Sequence, residues 1–186
     1  ISEEADGTYH FIWLCHHATF DGWSQGIVLD TLLRFYNNSE PRVIKPYSLF
    51  IDYLSRIQTD AAEAYWEKQL TGSSPAVFPP KRSTHGTNSS TGILTKAINL
   101  SHGKNTVVTK ATIVRAAWAM LLARYCDTSD VTFGATVSGR QAPVPGLESM
   151  PGPMIATVPV RIRLDGAQRI NDYLQGVQDQ ALEMAA

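Results

Sequence analysis

Apolar side chains fill both alternating faces of Tyr9 to Cys15 (YHFIWLC), which predicts a strand covered on both sides and central in its sheet. His16 to Gly22 (HHATFDG) breaks that pattern. From Trp23 to Asn37, Val28, Leu32, Phe35 and Tyr36 recur at helical spacing, while Asp30 and Arg34 form an i,i+4 pair on the opposite side. Strand, loop and amphipathic helix are expected in that order. Pro46 suits the first turn of a further helix with Leu49, Phe50, Tyr53, Leu54 and Ile57 as its apolar positions. Asp60 and Glu63 have capping-box spacing before a helix over Ala61 to Leu70, which should stop at Gly72.

From Thr71 to Gly92 the composition turns to Ser, Thr, Pro, Gly and Asn, over a length that reads as a linker. A short strand near Ile93 to Leu100 is expected next, then a helix from about Lys110 to Tyr125 with Val114, Trp118, Leu121, Leu122 and Tyr125 on its apolar side. Val131 to Ser138 alternates. Val131, Phe133, Ala135 and Val137 face one way, and Thr132, Gly134, Thr136 and Ser138 the other. A turn over Pro143 to Pro153 precedes a strand from Met154 to Leu164 and a closing helix from about Gln168.

Composition narrows the function classes. With 44% hydrophobic and 18% charged residues among 186, the chain reads as globular and able to bury a core. Sixteen basic side chains nearly cancel seventeen acidic ones, so neither nucleic acid nor a membrane surface is expected as a partner. No apolar stretch is long enough to span a bilayer. Cys15 and Cys126 are isolated, which argues against a disulfide framework or a zinc site and suits a reducing cytoplasm. The start at Ile1 instead of Met suggests a piece of a longer chain or a processed terminus.

The candidate chemistry sits at the end of the first strand, where His16, His17, Asp21 and Gly22 form His-His-x-x-x-Asp-Gly. A neutral imidazole there can take the proton of an attacking group and return it to a leaving group, because its ordinary pKa lies near the working pH. Asp21 could orient that ring or hold the loop by pairing with a cation, and Gly22 would permit close backbone approach. A buried structural histidine is the plainer alternative. Adjacent histidines on a strand point to opposite faces, so no metal site is expected. Arg161 and Arg163 share a strand face, where an exposed edge explains them better than a phosphate site. Trp23, Trp66 and Trp118 suit the core.

The run CHHATFDGWS resembles the core motif of condensation domains in nonribosomal peptide synthetases. Further matching stretches follow in that family's order: YSLFIDYL, AYWEKQL, ATIVRAAWAMLLARY, DVTFGATVSGR and GLESMPGPMIATVPVRI. The wording is most similar to fungal synthetases. The resemblance implies an α+β fold of two-layer sandwich lobes, chloramphenicol-acetyltransferase-like, here an incomplete two-lobe pseudo-dimer. Residues 1–72 would be the C-terminal part of the first lobe, 73–92 the inter-lobe linker, and 93–186 the N-terminal part of the second lobe. A later Asp-Phe-Gly-Trp-Gly type segment of the family is missing.

The same resemblance implies amide formation between a carrier-bound acyl or peptidyl thioester and a carrier-bound amino acid. His17 would be the catalytic histidine, His16 its support, and Asp21 a partner of Arg140 rather than of the imidazole. Trp23, Ser24, Thr136, Ser138 and Thr157 are candidates to line a channel, although Thr136, Ser138 and Thr157 read equally well as a solvated strand face. No directly bound cofactor or metal is implied; 4'-phosphopantetheine arms of carrier proteins deliver the substrates, and an adenylation domain is a further partner. Three alternatives carry other outcomes: release by cyclisation, epimerisation (disfavoured by GPMIATVPVR), and a non-catalytic piece that docks carriers. A plant-type acyltransferase using coenzyme A would share the histidine motif but not the later stretches.

Overall fold

The structure is a computed structural model that describes residues 1–74, 77–78, 92–99 and 108–184. Two compact units emerge. One comprises Ile1–Ala62 with Ala135–Val158, the other Glu63–Gly134 with Pro159–Ala186. They interleave in sequence, where the sequence pattern suggests a single break at 73–92, and most of that stretch lies outside the described residues.

The first unit opens with β1 (Ser2–Glu3) and β2 (Tyr9–His10), an antiparallel pair with Ser2 opposite His10. The expected strand thus ends at His10. Residues 11–16 have no strand partner among the described residues, and Ile12 and Leu14 are 64% and 90% exposed. Alternating apolar residues suit a covered strand, but a ladder forms only against neighbouring strands that accept its backbone hydrogen bonds. Helix α1 (Gly22–Tyr36) matches its expectation closely, yet Phe35 and Tyr36 on its apolar side are exposed. Helix α2 (Ser48–Ser55) buries Phe50.

The core of this unit gathers Phe50, Leu147, Met150 and Met154, with Tyr47, Tyr53, Ala142 and Val144 packed around them. The Pro/Gly-rich stretch read as a turn therefore supplies half of a core. Two glycines, Gly152 within it and Gly139 just before it, explain how. A Cβ on Gly139 would stand 2.8 Å from the Met154 carbonyl oxygen, and one on Gly152 (φ +151) only 2.1 Å from the Tyr47 ring. Bare backbone at both points is what lets this stretch close on α2.

In the second unit, α3 (Asp60–Leu70) ends where expected, with Gly72 at φ +71. No strand occurs over residues 92–99; Ile93, Leu94 and Ile98 are fully or largely exposed. Helix α4 (Lys110–Cys126) and α5 (Ile170–Glu183) pack together. The buried stripe of α4 is Thr112, Ala116, Ala119 and Leu122, whereas Val114, Trp118, Leu121 and Tyr125 stay 39–59% exposed. Of the expected apolar side only Leu122 is buried. Small residues at 116 and 119 let α5 approach closely, and the Tyr173 hydroxyl donates to the Ala116 carbonyl at 2.9 Å. Close approach of two helices selects the small face over the large one.

Strands β3 (Asp130–Ser138) and β4 (Ile155–Arg163) pair, and each contributes one end to each unit. Thr136 stands opposite Thr157, and the Gly139 amide donates to the Met154 carbonyl, which sets an antiparallel register. The alternation expected of β3 is present: Val131 is fully buried, while Gly134, Thr136 and Ser138 are exposed.

Candidate active site

The loop between β2 and α1 is shaped by its own side chains. His17–Thr19 forms a single 3₁₀ turn, and the His16 imidazole caps it by accepting the Ala18 amide at Nδ1, 3.1 Å away. His17 uses the corresponding nitrogen in the opposite sense. Its Nδ1 lies 2.9 Å from the Phe20 carbonyl oxygen, which can only accept, so Nδ1 carries the proton. A neutral His17 therefore keeps a bare lone pair on Nε2, whereas His16, with Nδ1 accepting, carries its proton on Nε2. Both rings are exposed.

Asp21 closes the loop and starts α1. As N-cap it accepts the Ser24 amide at 2.8 Å through Oδ1, which also contacts the Ser24 hydroxyl at 2.6 Å. Its other oxygen accepts the Met154 amide at 3.1 Å. One terminal nitrogen of Arg140 bridges both oxygens at 3.1 and 3.2 Å; the side chains are 1% and 9% exposed. The second terminal nitrogen donates to the Leu147 and Met150 carbonyls at 2.7 and 2.9 Å. Burial alone would raise the Asp21 pKa, but the Ser24 hydroxyl and amide, the Met154 amide and the Arg140 charge outweigh it and lower the value to about 2. The carboxylate stays ionised and is committed to this cluster; no contact joins it to either imidazole among the described residues. Of the two roles open to it in the sequence, orienting the ring or pairing with a cation, the geometry supports the second.

The remaining candidates separate. A Cβ on Gly22 would meet nothing within 4 Å, so the close approach expected there is absent. Ser24 is fully buried in the Asp21–Arg140 cluster, where the Gly152 amide donates to its hydroxyl at 2.8 Å, and so it lines no open passage. Trp23 is 56% exposed rather than core; its indole donates to the Glu148 carbonyl at 3.0 Å and Arg140 stands 5.6 Å over its ring. With Ile27, Val43 and Ile44 it walls a cavity of about 460 Å³. Thr136, Ser138 and Thr157 are exposed on their strands, and Ser138 caps the turn that carries Arg140 by accepting its amide at 3.3 Å.

Arg161 is no exposed edge residue. Only 6% accessible, it grips both oxygens of Asp130 at 2.8 and 2.5 Å and donates to the carbonyls of Gln69, Thr71 and Gly72 at the end of α3. Arg163 is exposed and 3.5 Å from the same carboxylate. Ser24, Met154 and Gly152 around Asp21, and the Phe20 carbonyl at His17, were not expected. The Asp-x-x-Ser spacing before a helix was a usable signal for Ser24 alone. Among the described residues no three metal-ligating side chains stand together, and no helix is long and apolar enough to cross a membrane.

A capped Asp-Gly opens the helix, an exposed histidine precedes it, and a buried arginine from a strand end closes the cluster. The chain belongs to the condensation-domain family, whose model matches residues 1–186. It is 43% identical to nonribosomal peptide synthetase ecdA of Aspergillus rugulosus over 99% of its own length and 3% of that protein. Against nonribosomal peptide synthetase 6 of Alternaria brassicicola it is 36% identical, covering 98% of itself and 12% of the relative. Among solved structures, the starter condensation domain of rhizomide synthetase RzmA with C8-CoA aligns at a TM-score of 0.62 and 17% identity, over 89% of this chain and 40% of that one. A holo four-domain nonribosomal peptide synthetase with AMP and glycine aligns at 0.63 and 19%, over 89% and 14%. The shared fold is the mixed α+β, chloramphenicol-acetyltransferase-like one. The chain spans a small fraction of the curated relatives it matches.

Proposed function

We propose that this chain contributes the reacting histidine of a condensation domain in a nonribosomal peptide synthetase. The supporting observation is the pair of tautomers: of two adjacent exposed imidazoles, His17 alone keeps Nε2 free to accept a proton. The amine nitrogen of a carrier-bound amino acid attacks the carbonyl carbon of a carrier-bound thioester. Nε2 of His17 accepts the proton lost by nitrogen, the C–S bond breaks, and the imidazolium returns that proton to the thiolate as the amide forms. The thioester is already activated, so alignment of two tethered reactants supplies much of the rate.

In this reading Asp21 and Arg140 hold the loop and touch neither reactant, and His16 supports by capping the turn. Thr136, Ser138 and Thr157 offer exposed hydroxyls for a substrate channel, and Trp23, also exposed, is a further candidate lining residue. Carrier domains would bring the substrates on 4'-phosphopantetheine, an adenylation domain would load them, and the reaction would be cytoplasmic, in keeping with two free cysteines. The test is a condensation assay with loaded carrier proteins, comparing the native chain and His17→Ala within the synthetase. Loss of amide product in the variant supports the reading; equal product from both removes it and leaves carrier docking. A cyclic product in place of a linear amide would assign release.

A further inference from the structure

An exposed histidine normally turns freely, because the torsion that orients its ring has broad and nearly two-fold wells. His17 is exposed yet held, and Phe20 touches it twice. The Phe20 carbonyl accepts the Nδ1 proton at 2.9 Å, and the Phe20 ring stacks on the imidazole, with centroids 5.6 Å apart and planes 21° apart. Trp13 packs against Phe20 in turn, at 5.3 Å and 37°. Phe20 itself lies in extended backbone, φ −160 and ψ 158, between the 3₁₀ turn and the Asp21 cap. Both of its neighbours are pinned: the turn by His16, and Asp21 by its buried cluster.

We propose that Phe20, braced by Trp13, is a positioning residue for His17 that selects the Nδ1–H tautomer and the ring orientation presenting a bare Nε2. The carbonyl supplies the acceptor, and the aromatic face keeps the imidazole over it. A quarter turn of the ring would break the stack, whereas a half turn keeps the stack but takes Nδ1 away from the carbonyl, so the ring fixes the plane and the carbonyl fixes which edge faces it. An aromatic contact of ordinary strength favours this plane, in which Nδ1 meets the carbonyl, over rotated planes that lose that hydrogen bond, by roughly three- to tenfold. His16, stacked on no ring among the described residues, takes the opposite tautomer from its own turn amide. The two histidines of the motif are thereby assigned different chemistry by local contacts alone. This inference rests on His17 being the reacting histidine only for its consequence in turnover; the tautomer stands or falls separately.

The test is long-range ¹H–¹⁵N spectroscopy of the histidine-labelled chain at a pH where the imidazoles are neutral. In the native protein His17 should show protonated Nδ1 and bare Nε2, and His16 the reverse. Phe20→Ala should lower the ratio of the Nδ1–H to the Nε2–H form of His17 by roughly three- to tenfold. Phe20→Tyr, which keeps the face, should restore it. Should Phe20→Ala unfold, Phe20→Leu replaces it, since it fills the space without an aromatic face. A native-like His17 tautomer in the folded Ala or Leu variant overturns the proposal, as does an Nε2–H His17 in the native protein. Because the spectrum needs no turnover, its failure is distinct from failure of the condensation assay.

Discussion

Arg140 sets one guanidinium nitrogen 3.1 and 3.2 Å from the two carboxylate oxygens of Asp21, and both side chains are shielded from water. A buried pair of this kind adds little over an apolar replacement, but removal of one partner strands the other. Asp21→Ala and Arg140→Ala should each destabilise by about 3–5 kcal/mol in urea titrations. Reversing both charges, Asp21→Arg with Arg140→Asp, should recover part of the loss seen in each single reversal. Strict additivity in that cycle would show that the two residues are not coupled.

The same pair carries an acid sensitivity. The Asp21 pKa is lowered from 3.8 to about 2 in the folded chain, so the unfolded chain binds the proton more readily. The stability this contributes, about 2 kcal/mol, is complete above the ordinary carboxylate range and fades as pH falls through the folded value. Asp130, lowered chiefly by its hydrogen bonds with Arg161, adds a further loss of the same sign. Urea midpoints measured from neutral pH down into this range should fall, and Asp21→Asn should flatten part of the slope.

Gly152 lies against the Tyr47 ring, whose hydroxyl donates to the Pro153 carbonyl at 2.6 Å. Gly152→Ala should cost about 1–3 kcal/mol from overlap and positive φ together. Tyr47→Leu in that background should return part of the loss in thermal melts, and no recovery would place the strain elsewhere.

At the end of α3, Arg161→Met should leave three helix-end carbonyls without this donor and Asp130 with only the exposed Arg163, at a cost of about 3 kcal/mol. Arg161→Lys should restore less than half, because an ammonium cannot serve the carboxylate and the carbonyls together. Equal stability of the Lys variant and the native chain would reject this role.

Ile12 and Leu14, and Leu33 and Phe35 on α1, are large apolar side chains left exposed, and such surface favours association. Sedimentation of the 186-residue chain should show concentration-dependent self-association, reduced by Leu33→Glu with Phe35→Glu.

Several features were legible because they depend on neighbours in sequence. The spans of α1, α3, α4 and α5, and the alternation of β3, follow from periodicity, caps and the stop at Gly72. The histidine motif was visible as a resemblance, and Arg140 as the cation matched to Asp21. Where expectation and structure part, a distant partner decided. The Tyr9–Cys15 run has a strand composition but only two residues of ladder. Trp118 and Tyr125 looked like the core side of α4, yet α5 chose the alanines. Arg161 seemed exposed until α3 brought its carbonyls.

By itself, then, the sequence determined which segments are helical, where the two adjacent imidazoles stand and that Asp21 needed a cation, since hydrogen bonds within a turn and side-chain volume are local properties. Only the tertiary structure decided that Gly152 must lie bare beneath Tyr47, that the Met154 and Gly152 amides join the Asp21–Ser24 cluster, and that α5 covers the alanine face of α4. Those outcomes depend on distances between groups that chain order leaves open and only packing closes.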